Sequence, residues 1–136
     1  MLADRHSSFR QGLRRILGER TDIDVVGEAG NGADLGNLLN LSDLVPHLVI
    51  LDLSMPDFRG MEAFREIKTT HPEVRFLIMG MHPDNEYVSQ AISDGANGYI
   101  LKRDVDIELV PAIETIRQGR VYRSPILFSS LAKGLL

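Results

Sequence analysis

Apolar runs of strand length alternate along the chain with segments whose apolar residues recur at helical spacing, the pattern of repeated βαβ units. Met1 to Ala3 reads as a strand stub ending at Asp4. Phe9, Leu13, Ile16 and Leu17 then share one helical face, with Ser7 or Ser8 as N-cap. Residues 23–27 read as a second strand. Asn31-Gly32 turns into a second helix carrying Leu35, Leu38 and Leu39, softened by Gly36. Leu48-Val49-Ile50-Leu51 is continuous and apolar, as a strand buried on both faces should be, and it ends at Asp52. Pro56 and Gly60 mark a loop before a helix with Met61, Phe64 and Ile67. Residues 74–79 give a fourth strand. Residues 84–94 give a fourth helix around Tyr87, Ala91 and Ile92, stopped by Gly95. Residues 98–101 are a fifth strand, and 106–118 a fifth helix closed by Gly119.

Five strands and five helices with right-handed crossovers predict an α/β fold. The economical form is a flavodoxin-like (βα)5 three-layer sandwich with a parallel five-stranded sheet of order 2-1-3-4-5. Such sheets build their sites at the carboxyl ends of strands, beside the switch point between strands one and three. Asp4 and Asp52 end those two strands and are predicted to face each other. The main domain is placed at residues 1–119. Residues 120–136 read as a linker in which Ser124-Pro125 starts a short helix with Ile126, Leu127, Leu131 and Leu135 on its apolar side. The short first strand and this tail suggest a piece of a longer protein.

Composition narrows the class. A chain of 136 residues with 43% hydrophobic content is one domain's worth with one core. No apolar run approaches the roughly 20 residues of a membrane span. Asp4, Arg5 and His6 interrupt any signal-like stretch. There is no cysteine for a disulfide or thiolate metal site. These features favour the cytoplasm. A net charge of −4 argues against gripping a nucleic-acid backbone directly, while leaving a DNA-binding neighbour open.

The candidate chemistry sits at strand ends. A carboxylate at Asp52 can act as a nucleophile toward a phosphoryl group, or simply cap the following loop. Asp4 opposite and Lys102 at the end of strand five favour the nucleophile. The Lys102 ammonium suits a carboxylate or a phosphoryl oxygen; its plain reading is a solvated lysine.

The stretches Leu2-Ala3-Asp4-Arg5-His6, Leu48 through Pro56, and Gly95-Ala96-Asn97-Gly98-Tyr99-Ile100-Leu101-Lys102 resemble response-regulator receiver domains. The resemblance is closest to the NarL/LuxR type of transcriptional regulator. Phe9-Arg10-Gln11-Gly12-Leu13, Glu28-Ala29-Gly30-Asn31-Gly32 and Gly119 through Pro125 extend it to about residue 125 in one register. The resemblance implies that a sensor histidine kinase passes a phosphoryl group to Asp52. It makes Asp4 an acidic metal-site residue and Ser54 a backbone carbonyl ligand of Mg²⁺. Lys102 becomes the phosphoryl-binding cation and Tyr99 the aromatic that changes rotamer. It also implies a homodimer, and a helix-turn-helix DNA-binding output outside this chain. A receiver modifies only itself, so no ordinary enzyme is expected.

Two positions depart from the family pattern. Arg5 stands where a second acid is usual, and Gly80 stands where Thr or Ser ends strand four. A standard pocket of three acids and one lysine sums to −2, an excess that a divalent cation neutralises. Here Asp4 and Asp52 give −2 while Arg5 and Lys102 give +2, so the sum is 0. Arg5 either pairs with Asp52 or Asp4 in the metal's place, or points to solvent and leaves the site one acid short. Both predict poor Mg²⁺ affinity. Gly80 removes the alcohol that would bond a phosphoryl oxygen, unless a water or its own amide stands in. The expectation is impaired or phosphorylation-independent switching.

Other signals are weaker. His6, His47, His71 and His82 lack metal-ligand spacing, although His6 and His82 are placed near the crevice rim. Gly27, Gly30 and Gly32 precede the second helix rather than the first, without a GK[ST], which argues against a nucleotide loop. Two further functions stay open: a small-molecule or anion-binding domain in the same crevice, and a stand-alone interaction adaptor.

Overall fold

The computed structural model describes residues 1–41, 43, 45–81 and 83–127. Its chain divides into two units, one ending at Val74 and the other beginning at Arg75. The first contains β1 (Leu2–Ala3), α1 (Ser7–Leu17), β2 (Glu28–Ala29), α2 (Gly32–Leu41), β3 (Leu48–Asp52) and α3 (Met61–Thr70). Its strands are parallel in the order β2-β1-β3. The second contains β4 (Arg75–Gly80), α4 (Asn85–Ser93), β5 (Gly98–Leu101), α5 (Val105–Arg117) and β6 (Tyr122–Arg123). These strands are parallel in the order β4-β5-β6. A single 3-10 turn, Lys102–Asp104, joins β5 to α5.

The continuous apolar segments became the strands predicted from them. Val49, Ile50 and Leu51 in β3, residues 76–79 in β4 and all of β5 are buried. Leu13 and Leu17 bury the apolar face of α1, while Arg14 and Arg15 occupy its last turn, where cations complement the carbonyl end of the helix. Asp84 caps α4 by accepting from the Tyr87 amide at 3.0 Å.

Four expectations are corrected. The second strand is Glu28–Ala29, not residues 23–27. Its partners on β1 are Leu2 and Ala3, so the ladder reaches only this far back, to the Gly27 carbonyl that accepts from Leu2. Neither Ser7 nor Ser8 is the cap of α1. His6 holds that position with extended backbone and no side-chain cap bond, and its own amide donates to Asp4 instead. Lys102 does not end β5 but opens the 3-10 turn. Among the described residues the strands number six rather than five, because Tyr122 and Arg123 pair with Gly98 and Tyr99.

In the first unit, Glu28 lies between two arginines of α1. Arg14 donates to one carboxylate oxygen and Arg10 Nε to the other at 2.8 Å. Hydrogen bonds from Arg14 first, and also from Arg10, hold the Glu28 carboxyl below its usual range. Arg10 also donates through Nη1 to the Asp4 carbonyl. One guanidinium thereby ties α1 to β2 and to the residue that follows β1.

The exit from β6 is fastened by one hydroxyl. Ser124 Oγ donates to Glu108 of α5 at 2.6 Å and accepts from the Leu127 amide at 3.0 Å. Pro125 to Leu127 are helical, as the Ser-Pro pair predicted, while Leu131 and Leu135 lie outside the described residues. Burial first, then the Glu108 charge and a hydrogen bond to it, push the Tyr122 phenol up. Ser124→Ala removes both a cap and a donor to a buried carboxylate. It should lower stability by about 1–3 kcal/mol in urea denaturation. Exposed Ser7→Ala should stay within about 0.5 kcal/mol.

Candidate functional site

Parallel pairing of β1 with β3 sets Ala3 beside Leu51. The next step along each strand brings Asp4 beside Asp52. Neighbouring strands lie about 4.8 Å apart, so two acids stand next to each other. Both are buried, Asp4 at 0% and Asp52 at 3% exposure. Like charges placed this way out of water call for hydrogen-bond donors or a cation.

The local backbone supplies donors. Asp52 Oδ1 accepts from the Ser54 amide at 2.9 Å and from Ser54 Oγ at 2.7 Å. Asp4 Oδ1 accepts from the His6 amide at 2.8 Å, with His6 Nδ1 at 3.7 Å. Arg5 is exposed. Among the described residues it forms no ion pair with Asp4 or Asp52, so of the two orientations predicted for it, solvent is the one adopted. Arg5 lies beyond the end of β1, in the bend that leads to α1, where its side chain reaches water.

Receiver-type sites generally take Mg²⁺. Mg²⁺ demands about six oxygen ligands in near-octahedral geometry and is commonly held by one or two carboxylates. Asp4 and Asp52 are the two carboxylates here. Among the described residues, no group of three or more His, Asp, Glu or Cys side chains could hold a metal. The two carboxylates are within the usual number for Mg²⁺, but an exposed cation, Arg5, stands where the family pattern has a third acid, which lowers the charge that attracts the ion. His82, predicted near His6 at the rim, lies outside the described residues.

In the second unit, Gly80 ends β4 and pairs in register with Leu101, and Lys102 follows directly. Tyr99 is buried, with its ring against Gly80. Tyr87 of α4 meets that ring edge-on, with centroids 6.3 Å apart and planes at 85°. The Tyr99 hydroxyl thus lies at Gly80, the last residue of β4, and Lys102 follows the strand residue paired with that glycine.

Two contributors were missed in the sequence. Arg10 braces the Asp4 carbonyl, and Ser54 binds Asp52 with its hydroxyl as well as its amide. The carboxylate-x-hydroxyl spacing of Asp52 and Ser54 was the available signal for the second, since a residue two beyond a strand-end carboxylate can turn back onto it.

The response regulator receiver domain pattern matches residues 1–114. The chain belongs to the response regulator receiver family. It is 31% identical over 133 residues to the transcriptional regulatory protein DegU of Brevibacillus brevis, covering 98% of this chain and 56% of DegU. It is 36% identical over 132 residues to the oxygen regulatory protein NreC of Staphylococcus epidermidis, covering 96% and 60%. The chain therefore spans less than two thirds of these relatives. Among solved structures, the Salmonella typhimurium response regulator RcsB matches with a TM-score of 0.90 at 26% identity, covering 97% of this chain and 65% of RcsB. A LuxR-family two-component response regulator from Aurantimonas matches at 0.86 and 35% identity, covering 98% and 94%. The fold is the flavodoxin-like receiver fold that the alternation of strands and helices predicted, with six strands. As a receiver of a LuxR-type two-component regulator, this domain is regulatory. Among the described residues, no helix is long and apolar enough to cross a membrane.

Proposed function

We propose that this receiver has Asp52 as its phosphoryl-acceptor position but accepts phosphate poorly, and acts mainly through a conformation that does not require it. One observation carries this reading: Asp4 and Asp52 are buried side by side while the cation Arg5 occupies, exposed, the position of the third acid. Phosphoryl transfer depends on positioning and on neutralising developing charge. With one acid exchanged for a cation, the attraction that recruits Mg²⁺ falls, and transfer slows with it. In this reading Asp4 is the remaining pocket acid and Ser54 holds the acceptor carboxylate. Lys102 receives the phosphoryl oxygens. Gly80 and Tyr99 occupy the switch positions.

The remainder rests on the relatives. The chain is a cytoplasmic regulatory module, not an ordinary enzyme, with residues 1–119 as receiver and 120–136 as the segment toward an output. A sensor histidine kinase is its upstream partner in type, and a second copy its dimer partner. DNA is reached only through an output domain outside this chain, as RcsB dimers bound to DNA illustrate for that protein.

Acetyl phosphate with and without Mg²⁺, read by intact mass, tests the acceptor. Substoichiometric label, scarcely altered by Mg²⁺ and lost in Asp52→Asn, is expected. Stoichiometric, Mg²⁺-dependent label on Asp52 would overturn the reading.

A further inference from the structure

The register between β4 and β5 sets Ile78 opposite Tyr99 and Gly80 opposite Leu101. The Tyr99 ring therefore reaches diagonally, along the sheet, toward Gly80. A Cβ built on Gly80 would lie 1.8 Å from the Tyr99 hydroxyl oxygen, 2.7 Å from Cζ and 3.2 Å from Cε1. The phenol stands in the volume that any other residue at 80 would fill. Tyr99 is only 3% exposed, and Tyr87 closes on it edge-to-face from α4. The hydroxyl end of the ring is thus seated at the glycine while a second aromatic packs against it.

We propose that Gly80 is a built-in seat for Tyr99, which holds the aromatic inward at all times and makes the surface around α4 independent of phosphorylation. The inference deepens the regulatory reading above and rests on it for its functional meaning. A ligand or modification shifts a conformational equilibrium only by its differential interaction with two states. A ring already seated in the inward state has no further inward shift to offer. Among the described residues, Tyr87 is then the exposed aromatic beside it, at 37% exposure.

Tetranitromethane nitration of the whole chain, mapped by peptide, reads the ring position. In the native sequence, residue 99 should nitrate many times more slowly than Tyr87, and beryllofluoride with Mg²⁺ should leave that ratio unchanged. Gly80→Ala and Gly80→Thr should raise nitration at 99 to the level of Tyr87. Tyr99 nitrating as fast as Tyr87 in the native chain would overturn the proposal, as would full protection of Tyr99 in a folded Gly80→Thr variant. Should both variants fail to fold, proton NMR decides. A cross-peak between the Gly80 α-protons and the Tyr99 ring supports the seat, and its absence in the native chain refutes it. Failure of the acceptor reading looks different. Stoichiometric labelling of Asp52 with an unchanged nitration ratio would remove that reading and leave the seat intact.

Discussion

Arg5→Asp should raise Mg²⁺ affinity by on the order of tenfold to a hundredfold and accelerate acetyl phosphate labelling of Asp52 in parallel. Two unit charges about 4 Å apart in water interact by about 1 kcal/mol. A divalent ion doubles that figure, and exchanging a positive for a negative charge doubles it again, before salt reduces it. Arg5 is exposed, so the screened end of the range applies to charge alone. Direct ligation by the new carboxylate would add to it. Arg5→Ala separates the two effects, because it removes the cation without adding a ligand. It should give about half of the logarithmic gain if charge dominates, and little if ligation does. Calorimetric Mg²⁺ titration of the three proteins checks this. Equal, weak affinity in all three would show that the missing acid is not what limits the site.

Gly32→Ala should cost about 2–3 kcal/mol of stability, a fall of roughly 10 °C in Tm for a domain of this size. Gly32 starts α2 where the helix meets the loop that follows β3. Its amide donates to the Pro56 carbonyl at 2.8 Å. An added Cβ would lie 1.8 Å from the Asp57 carbonyl oxygen, 2.6 Å from its carbon and 3.2 Å from Phe58 Cα. These are backbone atoms, so no rotamer change relieves the clash. Asp57 already has φ 54°, a left-handed conformation that costs a non-glycine residue about 1–2 kcal/mol, so the loop has little slack. Because this loop continues from Asp52 and Ser54, displacing it should also disturb the hydrogen bonds on the acceptor carboxylate. Gly36→Ala is the matched control. It lies within the same helix with nothing within 4 Å of an added Cβ, and should stabilise by about 0.5–1 kcal/mol. Thermal denaturation of the two variants distinguishes a steric effect from any general intolerance of α2 to substitution.

The inner strands were legible before any coordinates because burial on both faces leaves a local mark. Leu48 to Leu51, Phe76 to Met79 and Gly98 to Leu101 had to be apolar throughout, and nothing distant was needed to read them. Asp4 and Asp52 were legible for a related reason: each interrupts an apolar run at its carboxyl end, where parallel sheets place their chemistry. The exchanges at Arg5 and Gly80 stood out against a recognisable pattern, but their consequences did not. Which way Arg5 turns depends on the bend that the chain makes between β1 and α1. What fills the space above Gly80 depends on the register of β4 against β5. Strand β6 has only two residues, too few for any period to show, and exists because Gly98 and Tyr99 offer it an edge. Ser124 on Glu108, and Gly32 on Asp57, join segments well separated along the chain. Composition and periodicity report how each segment meets water or core; which side chain meets which is set by register and close approach, and these arise only when the segments pack.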